Sequence, residues 1–387
     1  MTVTMGQALN AALADALAED PSVLVFGEDV GPLGGVFRVT DGLTERFGED
    51  RCFDTPLAEA GIVGTAVGMA MYGMRPVVEM QFDAFAYPAF EQITSHVAKM
   101  RNRTGGAVGL PMVIRVPYGG AIGSVEHHCD SSEAYYTHTP GLTVVTPANP
   151  ADAYSLLREA IASPDPVIFL EPKRQYRAKA DAALPVRTEP MDRAVVRRTG
   201  TDVTLIAYGP TVSTALAAAQ AGRDEGFDIE VIDLRSLAPF DDETVCASVR
   251  RTGRALVVHE ASVFGGYGAE VAARVTERCF HYLEAPVLRV GGLDIPYPPP
   301  SLESHHVPDA ERVLDAITRL QWESRWTSPP ASPAADAAPV LTEAAGGGGR
   351  AAAGAGADAD ADARDGAAPG MTDAPGDAGA RPSGVGR

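Results

Sequence analysis

The sequence predicts an α/β protein of two domains, each built on a largely parallel sheet, followed by a disordered tail. Three observations carry that expectation. Short runs rich in Val, Ile and Leu alternate with amphipathic helical segments, the pattern of strands buried between two helical layers. The alternation breaks over residues 173–200, at Pro185, Pro190 and a cluster of charges, and then restarts. From Ser328 to Arg387 the chain is almost all Ala, Gly, Pro and Asp, with too little apolar area to offset its ordering entropy. The expected division is residues 1–185, 186–327 and a tail of 328–387.

In chain order, MTVTMGQALNAALADALAEDP reads as an amphipathic helix and SVLVFGED (22–29) as a buried strand running into a polar loop. Residues 56–72 read as a helix, RPVVEM (75–80) as a strand, and residues 84–100 contain another helix. PMVIRVP (111–117) and LTVVTP (142–147) are strands, NPADAYSLLREAIAS (149–163) a helix, and PVIFLEP (166–172) a strand. The second half repeats the alternation with DVTLIAYG, a helix from Thr211, DIEVIDLR, a helix near 241–251, RALVVHE, a helix near 266–278, PVLRVGG and a final helix near 309–320.

Composition narrows the function. The 387 residues carry a formal charge of −19, which argues against a phosphate-binding basic face and against docking on an anionic membrane. The tail holds eight acids and four arginines, so the body keeps −15. That acidity suits a basic protein partner. Cys52, Cys129, Cys246 and Cys279 form neither a CxxC pair nor a zinc spacing with His, and read as reduced thiols. No signal peptide and no apolar run of about 20 residues is present. With only three lysines among 32 basic residues, the expectation is a cytoplasmic protein of a GC-rich bacterium.

In open parallel sheets, ligands bind beyond the carboxyl ends of the strands, and three segments there stand out. In DTPLAEAGIVG (54–64), Thr55 and Pro56 suit a helix start, and Glu59 lies in the first turn, where the helix dipole favours a carboxylate. Gly61, Gly64 and Gly68 follow, each costing about 1 kcal/mol against Ala. That cost suggests close packing on another chain, which would partly desolvate Glu59 and suit it to sharing a proton. In EMQFDAFAYPAFEQI (79–93), Phe85 or Tyr87 could stack on a flat heterocycle, and Phe82 and Phe90 suit the core. In residues 117–141, three glycines precede Glu126, His127, His128 and Asp130, and His138 follows. A glycine-rich loop carrying His after a strand reads as a catalytic loop, with a cap or surface role as the alternative. GGYGAE (265–270) opens a helix that could hold an anion. GxxxxGK[ST], GxSxG and a GxGxxG after the first strand are absent.

GEDV (27–30), GGVFR (34–38), DTPLAEAGIVG, RPVVEMQFDAFAYPAFEQI (75–93), SVEHHCDSSEAYYTHTPGL (124–142) and PVIFLEPK (166–173) resemble the β subunit of the E1 component of 2-oxo acid dehydrogenase complexes. DIEVIDLRSLAPFD (228–241) and HEASVFGGYGAEVAA (259–273) resemble its C-terminal domain and that of transketolases. The likeness runs in order over about residues 3–325. It implies a transketolase pyrimidine-type domain, a transketolase C-terminal domain, and thiamine diphosphate as cofactor. By that resemblance, Glu59 hydrogen-bonds the aminopyrimidine ring and starts cofactor activation, and Phe85 and Leu57 pack on the same ring. Glu28 matches an acid that relays protons near Glu59, and His128 matches the loop histidine that assists decarboxylation or acyl passage to lipoate. His127 is its neighbour in the pair. A structural potassium ion would be held mostly by backbone carbonyls at Met112, Ala160, Ile161, Ser163 and Asp165.

The superfamily's Mg2+–diphosphate pattern, GDG…N, lacks its GDG here. The resemblance therefore implies an α subunit that holds Mg2+ and the diphosphate, an α2β2 heterotetramer, and docking on the subunit-binding and lipoyl domains of an E2 acyltransferase. GGVFR, QFDAFAYPAF and FLEPK look more like the branched-chain 2-oxo acid enzymes than the pyruvate enzymes. Pyruvate is the second choice. A non-catalytic scaffold subunit and a single-chain thiamine enzyme are the readings of other classes.

Overall fold

The computed structural model describes residues 2–181 and 183–321. The expected tail and the last residues of the expected second domain lie outside them. The first half is built on a seven-stranded sheet in the order Ser236–Ala238, Thr143–Val145, Val167–Pro172, Val113–Tyr118, Arg75–Glu79, Val23–Gly27, Cys52–Asp54. All neighbours are parallel except Ser236–Ala238, an antiparallel edge strand lent by the second half. The second half has a five-stranded sheet, Leu288–Gly292, Ala255–Ser262, Val203–Ala207, Ile229–Asp233, Val195–Arg198, antiparallel only at its last edge.

Local chemistry sets the helix ends. Thr4 and Gln7 form a reciprocal capping box at helix Met5–Glu19, with bonds of 3.2 and 2.9 Å. Asn149 accepts from Asp152 N at 3.0 Å to open helix Pro150–Ala162, with Pro150 in its first turn. These two helices pack on one face of the large sheet around Leu9, Leu13, Leu156 and Phe169. The other face shares one core with the second half, in which Ile114, Val116 and Tyr118 join Tyr208, Ile232 and Leu237.

Three local expectations differ from the structure. Thr55 does not cap the next helix. The helix starts at Glu59 rather than Pro56 and runs to Met71 from an Ala58 N-cap without a side-chain bond. Residues 84–100 are not one helix but a 3-10 turn Ala84–Ala89, a short α turn and a π turn Ile93–Val97, with Pro88 lacking the N–H a regular helix needs. The stretch 173–200 carries strand Lys179–Asp181, paired with Thr2–Thr4, as well as Val195–Arg198.

Candidate active site

Five adjacent parallel strands end on one side of the large sheet, and the candidate residues follow them. Glu28 follows Val23–Gly27, and Leu57 and Glu59 follow Cys52–Asp54. Phe82, Asp83 and Phe85 follow Arg75–Glu79, the loop to His128 follows Val113–Tyr118, and Lys173 follows Val167–Pro172.

Glu28 is buried, and among the described residues its Oε1 has no hydrogen-bond partner. Burial pushes its carboxyl above the ordinary range, and the nearby charges of Glu59 and then Asp29 push the same way. Glu59 is half-buried at the first position of its helix. Asp29 sits in the left-handed region with φ 59° and accepts from Gln81 Nε2 at 2.8 Å. Leu57 stands 80% exposed.

Phe85 is half-buried and meets Phe82 edge-on, with ring centroids 5.6 Å apart. His128 closes a 3-10 turn Glu126–His128. Its ring lies 4.3 Å from Phe82 and 5.4 Å from Phe85 between centroids, and Ser124 Oγ engages its Nδ1 at 3.1 Å. Burial lowers the pKa of this imidazole, as do His127 and Lys173, while Glu126 raises it. His128 is therefore uncharged near neutrality, with Nε2 free of protein partners among the described residues. His127 is exposed, 3.8 Å from Glu126. His138 lies apart, beside Pro140 and Phe240.

The loop between strand and histidine is held by the second half. Glu260 accepts from Gly120 N, Tyr297 OH from Ala121 N at 2.8 Å, and Glu303 from Ile122 N and Gly123 N at 3.1 Å each. Beneath the site, Arg115 is fully buried between Glu79 and Glu171, with 2.7 and 2.9 Å bonds to Glu171. Sequence reasoning missed this triad, the Asp83–Lys173 pair and the Glu303 clamp. Charged residues inside strands that must be buried on both faces were the available signal for the triad. The clamp joins residues some 180 positions apart and left no local trace.

Of the five positions expected to ligate potassium, Ile161 and Ser163 stand beside Arg75. Met112, Ala160 and Ile161 are buried, and Ser163 and Asp165 are half-buried. The Ile161 and Ser163 carbonyls accept from Arg75 Nη1 at 2.9 and 3.0 Å, so a potassium ion there would share them with a guanidinium. The GGYGAE glycines precede helix Gly268–Cys279, and Gly268 leaves no room for a side chain above the His259 ring. Along helix Glu59–Met71, Gly61, Thr65 and Gly68 lie on an exposed face, continued by Met71 and Tyr72.

A parallel sheet whose carboxyl edge gathers two acids, two edge-on aromatic rings and a loop histidine, joined to a second, smaller and mostly parallel sheet, defines a transketolase-type chain. The transketolase pyrimidine binding domain family matches residues 1–179, and the transketolase C-terminal domain family matches residues 192–313. The chain is 56% identical over 322 residues to the 3-methyl-2-oxobutanoate dehydrogenase subunit beta of Mycobacterium tuberculosis, covering 82% of this chain and 92% of that one. It is 54% identical over 318 residues to the pyruvate dehydrogenase E1 component subunit beta of Leifsonia xyli, covering 82% and 94%. It is 45% identical over 336 residues to the 2-oxoisovalerate dehydrogenase subunit beta of Pseudomonas aeruginosa, covering 82% and 95%. A solved split-gene transketolase, an inactive beta4 tetramer, matches with TM-score 0.68 and 25% identity over 82% of this chain and 98% of that one. The chain belongs to the family of E1 β subunits of 2-oxo acid dehydrogenases.

Proposed function

We propose that this chain is the β subunit of a thiamine diphosphate-dependent E1 that decarboxylates a branched-chain 2-oxo acid and reductively acylates the lipoyl group of its E2 partner. The observation that carries the proposal is the gathering of Glu28, Glu59, Phe85 and His128 at one sheet edge. The residues fit the cofactor's pyrimidine end. A buried acid with an unpartnered oxygen, a half-buried acid, an aromatic face and an exposed Leu57 together offer a polar rim and an apolar wall for a flat heterocycle.

When bound, thiamine diphosphate supplies an electron sink for the carbanion left by decarboxylation. Glu59 holds and shares a proton at its carboxylate. Glu28, kept protonated more readily by burial, stands behind it as a proton reservoir. Phe85 and Leu57 orient the heterocycle and exclude water. His128, uncharged at rest, exchanges a proton at Nε2 with substrate or acyl acceptor.

We assign the diphosphate and its Mg2+ to an α subunit, because the chain lacks a GDG motif. The exposed face of helix Glu59–Met71, with its small residues, suits a closely packed partner chain in an α2β2 assembly. The acidic body suits a basic docking segment of E2. A second reading, pyruvate as substrate, is favoured by the Leifsonia xyli relative.

The test is reconstitution with candidate α subunits and kcat/KM for 2-oxoisovalerate and pyruvate. A preference for 2-oxoisovalerate is expected, and a clear preference for pyruvate reverses the substrate assignment. The β chain alone is expected to have no decarboxylase activity. Robust turnover without α refutes the two-chain site.

A further inference from the structure

Lys173 is fully enclosed at the end of strand Val167–Pro172. Its Nζ lies 3.3 Å from Asp83 Oδ1 and donates to the Pro117 carbonyl at 3.3 Å. The same nitrogen stands over the Phe82 ring, 5.4 Å from the centroid. Phe82 in turn meets the His128 imidazole at 4.3 Å, with the planes 34° apart. Asp83 is fully buried as well, and its Oδ2 has no partner among the described residues. Enclosing an ammonium and a carboxyl is unfavourable compared with two apolar side chains of similar volume. Fold stability therefore gives no reason for this pair, whereas its contact with the ring that carries His128 does.

The charged and titratable groups facing His128 are few. Its own turn supplies Glu126 and exposed His127, and Ser124 binds its Nδ1. The segment after Arg75–Glu79 supplies the rings of Phe82 and Phe85, and the end of Val167–Pro172 supplies Lys173. Asp83 faces Lys173 itself, and Asp130 lies near Asp83. A cation on the Phe82 side opposes a second positive charge on the imidazole.

We propose that Lys173 is a positioning residue for His128: anchored by Asp83 and Pro117, it braces the Phe82 ring against the imidazole and holds that imidazole in its uncharged form. The proposal rests on the reading of His128 as the proton-exchanging residue. Lys173 itself is sealed from the cleft and does not touch the reacting atoms.

Diethyl pyrocarbonate acylates only uncharged imidazole, so its reaction with His128, followed by mass spectrometry of that peptide across pH, gives the midpoint of His128 titration in the full-length protein. Asp83→Asn and the double variant Asp83→Asn/Lys173→Met differ only in the ammonium group, and neither leaves a bare buried carboxylate. The double variant is expected to titrate about half a pH unit or more above Asp83→Asn. Lys173→Arg, which keeps the charge, is expected to stay close to wild type. Equal midpoints in the Asn and Asn/Met proteins overturn the proposal, as does a Lys173→Arg midpoint displaced as far as that of the double variant. His128→Gln separates the two levels. Full acyl transfer in that variant removes the catalytic role of His128, while the midpoint comparison still reports on Lys173.

Discussion

Tyr208 donates a 2.7 Å hydrogen bond to Glu133 Oε1, and that bond crosses from the second half of the chain to the first. Both side chains are buried, and Glu133 Oε2 has no partner among the described residues. Burial pushes the Glu133 carboxyl up to about 7 from an ordinary 4.5. The folded chain thus keeps a proton that the unfolded chain has released, so stability from this group is complete below about pH 4.5 and is lost as pH rises through 7. Glu133→Gln keeps the acceptor oxygen and removes the titration. Between about pH 5 and pH 8, wild type is expected to lose on the order of 2–3 kcal/mol more unfolding free energy than the variant. Urea titrations at the two pH values measure it, and equal slopes refute it.

Glu303 accepts from Ile122 N, Gly123 N and Tyr297 OH. It therefore fixes a glycine-rich loop only a few residues before His128. Glu303→Ala leaves two backbone donors to water and lets the loop move. Amide exchange over residues 119–125 is expected to quicken, with strands Val203–Ala207 and Ala255–Ser262 unchanged. Turnover of the reconstituted enzyme is expected to fall by about tenfold, as befits a mispositioned proton carrier. Unaltered exchange in that loop sinks the clamp.

The fold was legible because most strands of its two large sheets are runs of five to eight mainly apolar residues and some of its long helices carry explicit caps, as at Thr4 and Asn149. Glu59, Phe85 and His128 stood out as candidates because each lies in a segment that follows a strand. What escaped was whatever depends on distant pairing. The strand Ser236–Ala238 reads as part of the second half, yet it adds to the first sheet through Val144 and Val145. Lys173 stands in the sequence only as the end of PVIFLEPK, with nothing local to show that Asp83 and Phe82 fold around it. Thr55 reads as a cap because its side chain suits one, but the helix opens only at Glu59, four residues further on.

Arg115 lies wholly buried between Glu79 and Glu171, and Tyr176 donates to Glu171 at 2.5 Å. Removing the only cation of this group leaves two enclosed carboxyls facing each other. Arg115→Met is expected to lower unfolding free energy by about 3–5 kcal/mol. The triple change Arg115→Met, Glu79→Gln, Glu171→Gln is expected to recover a large part of that loss. Denaturant midpoints of the three proteins decide it, and a single variant as stable as wild type refutes the ion-pair account.

Glu59 and Glu28 form a pair in which one acid is half-buried and the other enclosed. Glu59→Gln keeps size and hydrogen bonding at the first position of its helix and removes only the ability to accept a proton there. On the reconstituted enzyme, turnover of the 2-oxo acid is expected to fall by about a hundredfold or more, while the assembly elutes unchanged by size exclusion. Glu28→Gln is expected to cost less, because burial raises the pKa of that acid and already favours its protonated form. A Glu59→Gln enzyme with near-normal turnover, or a larger loss at Glu28 than at Glu59, would reverse the roles given to the two acids.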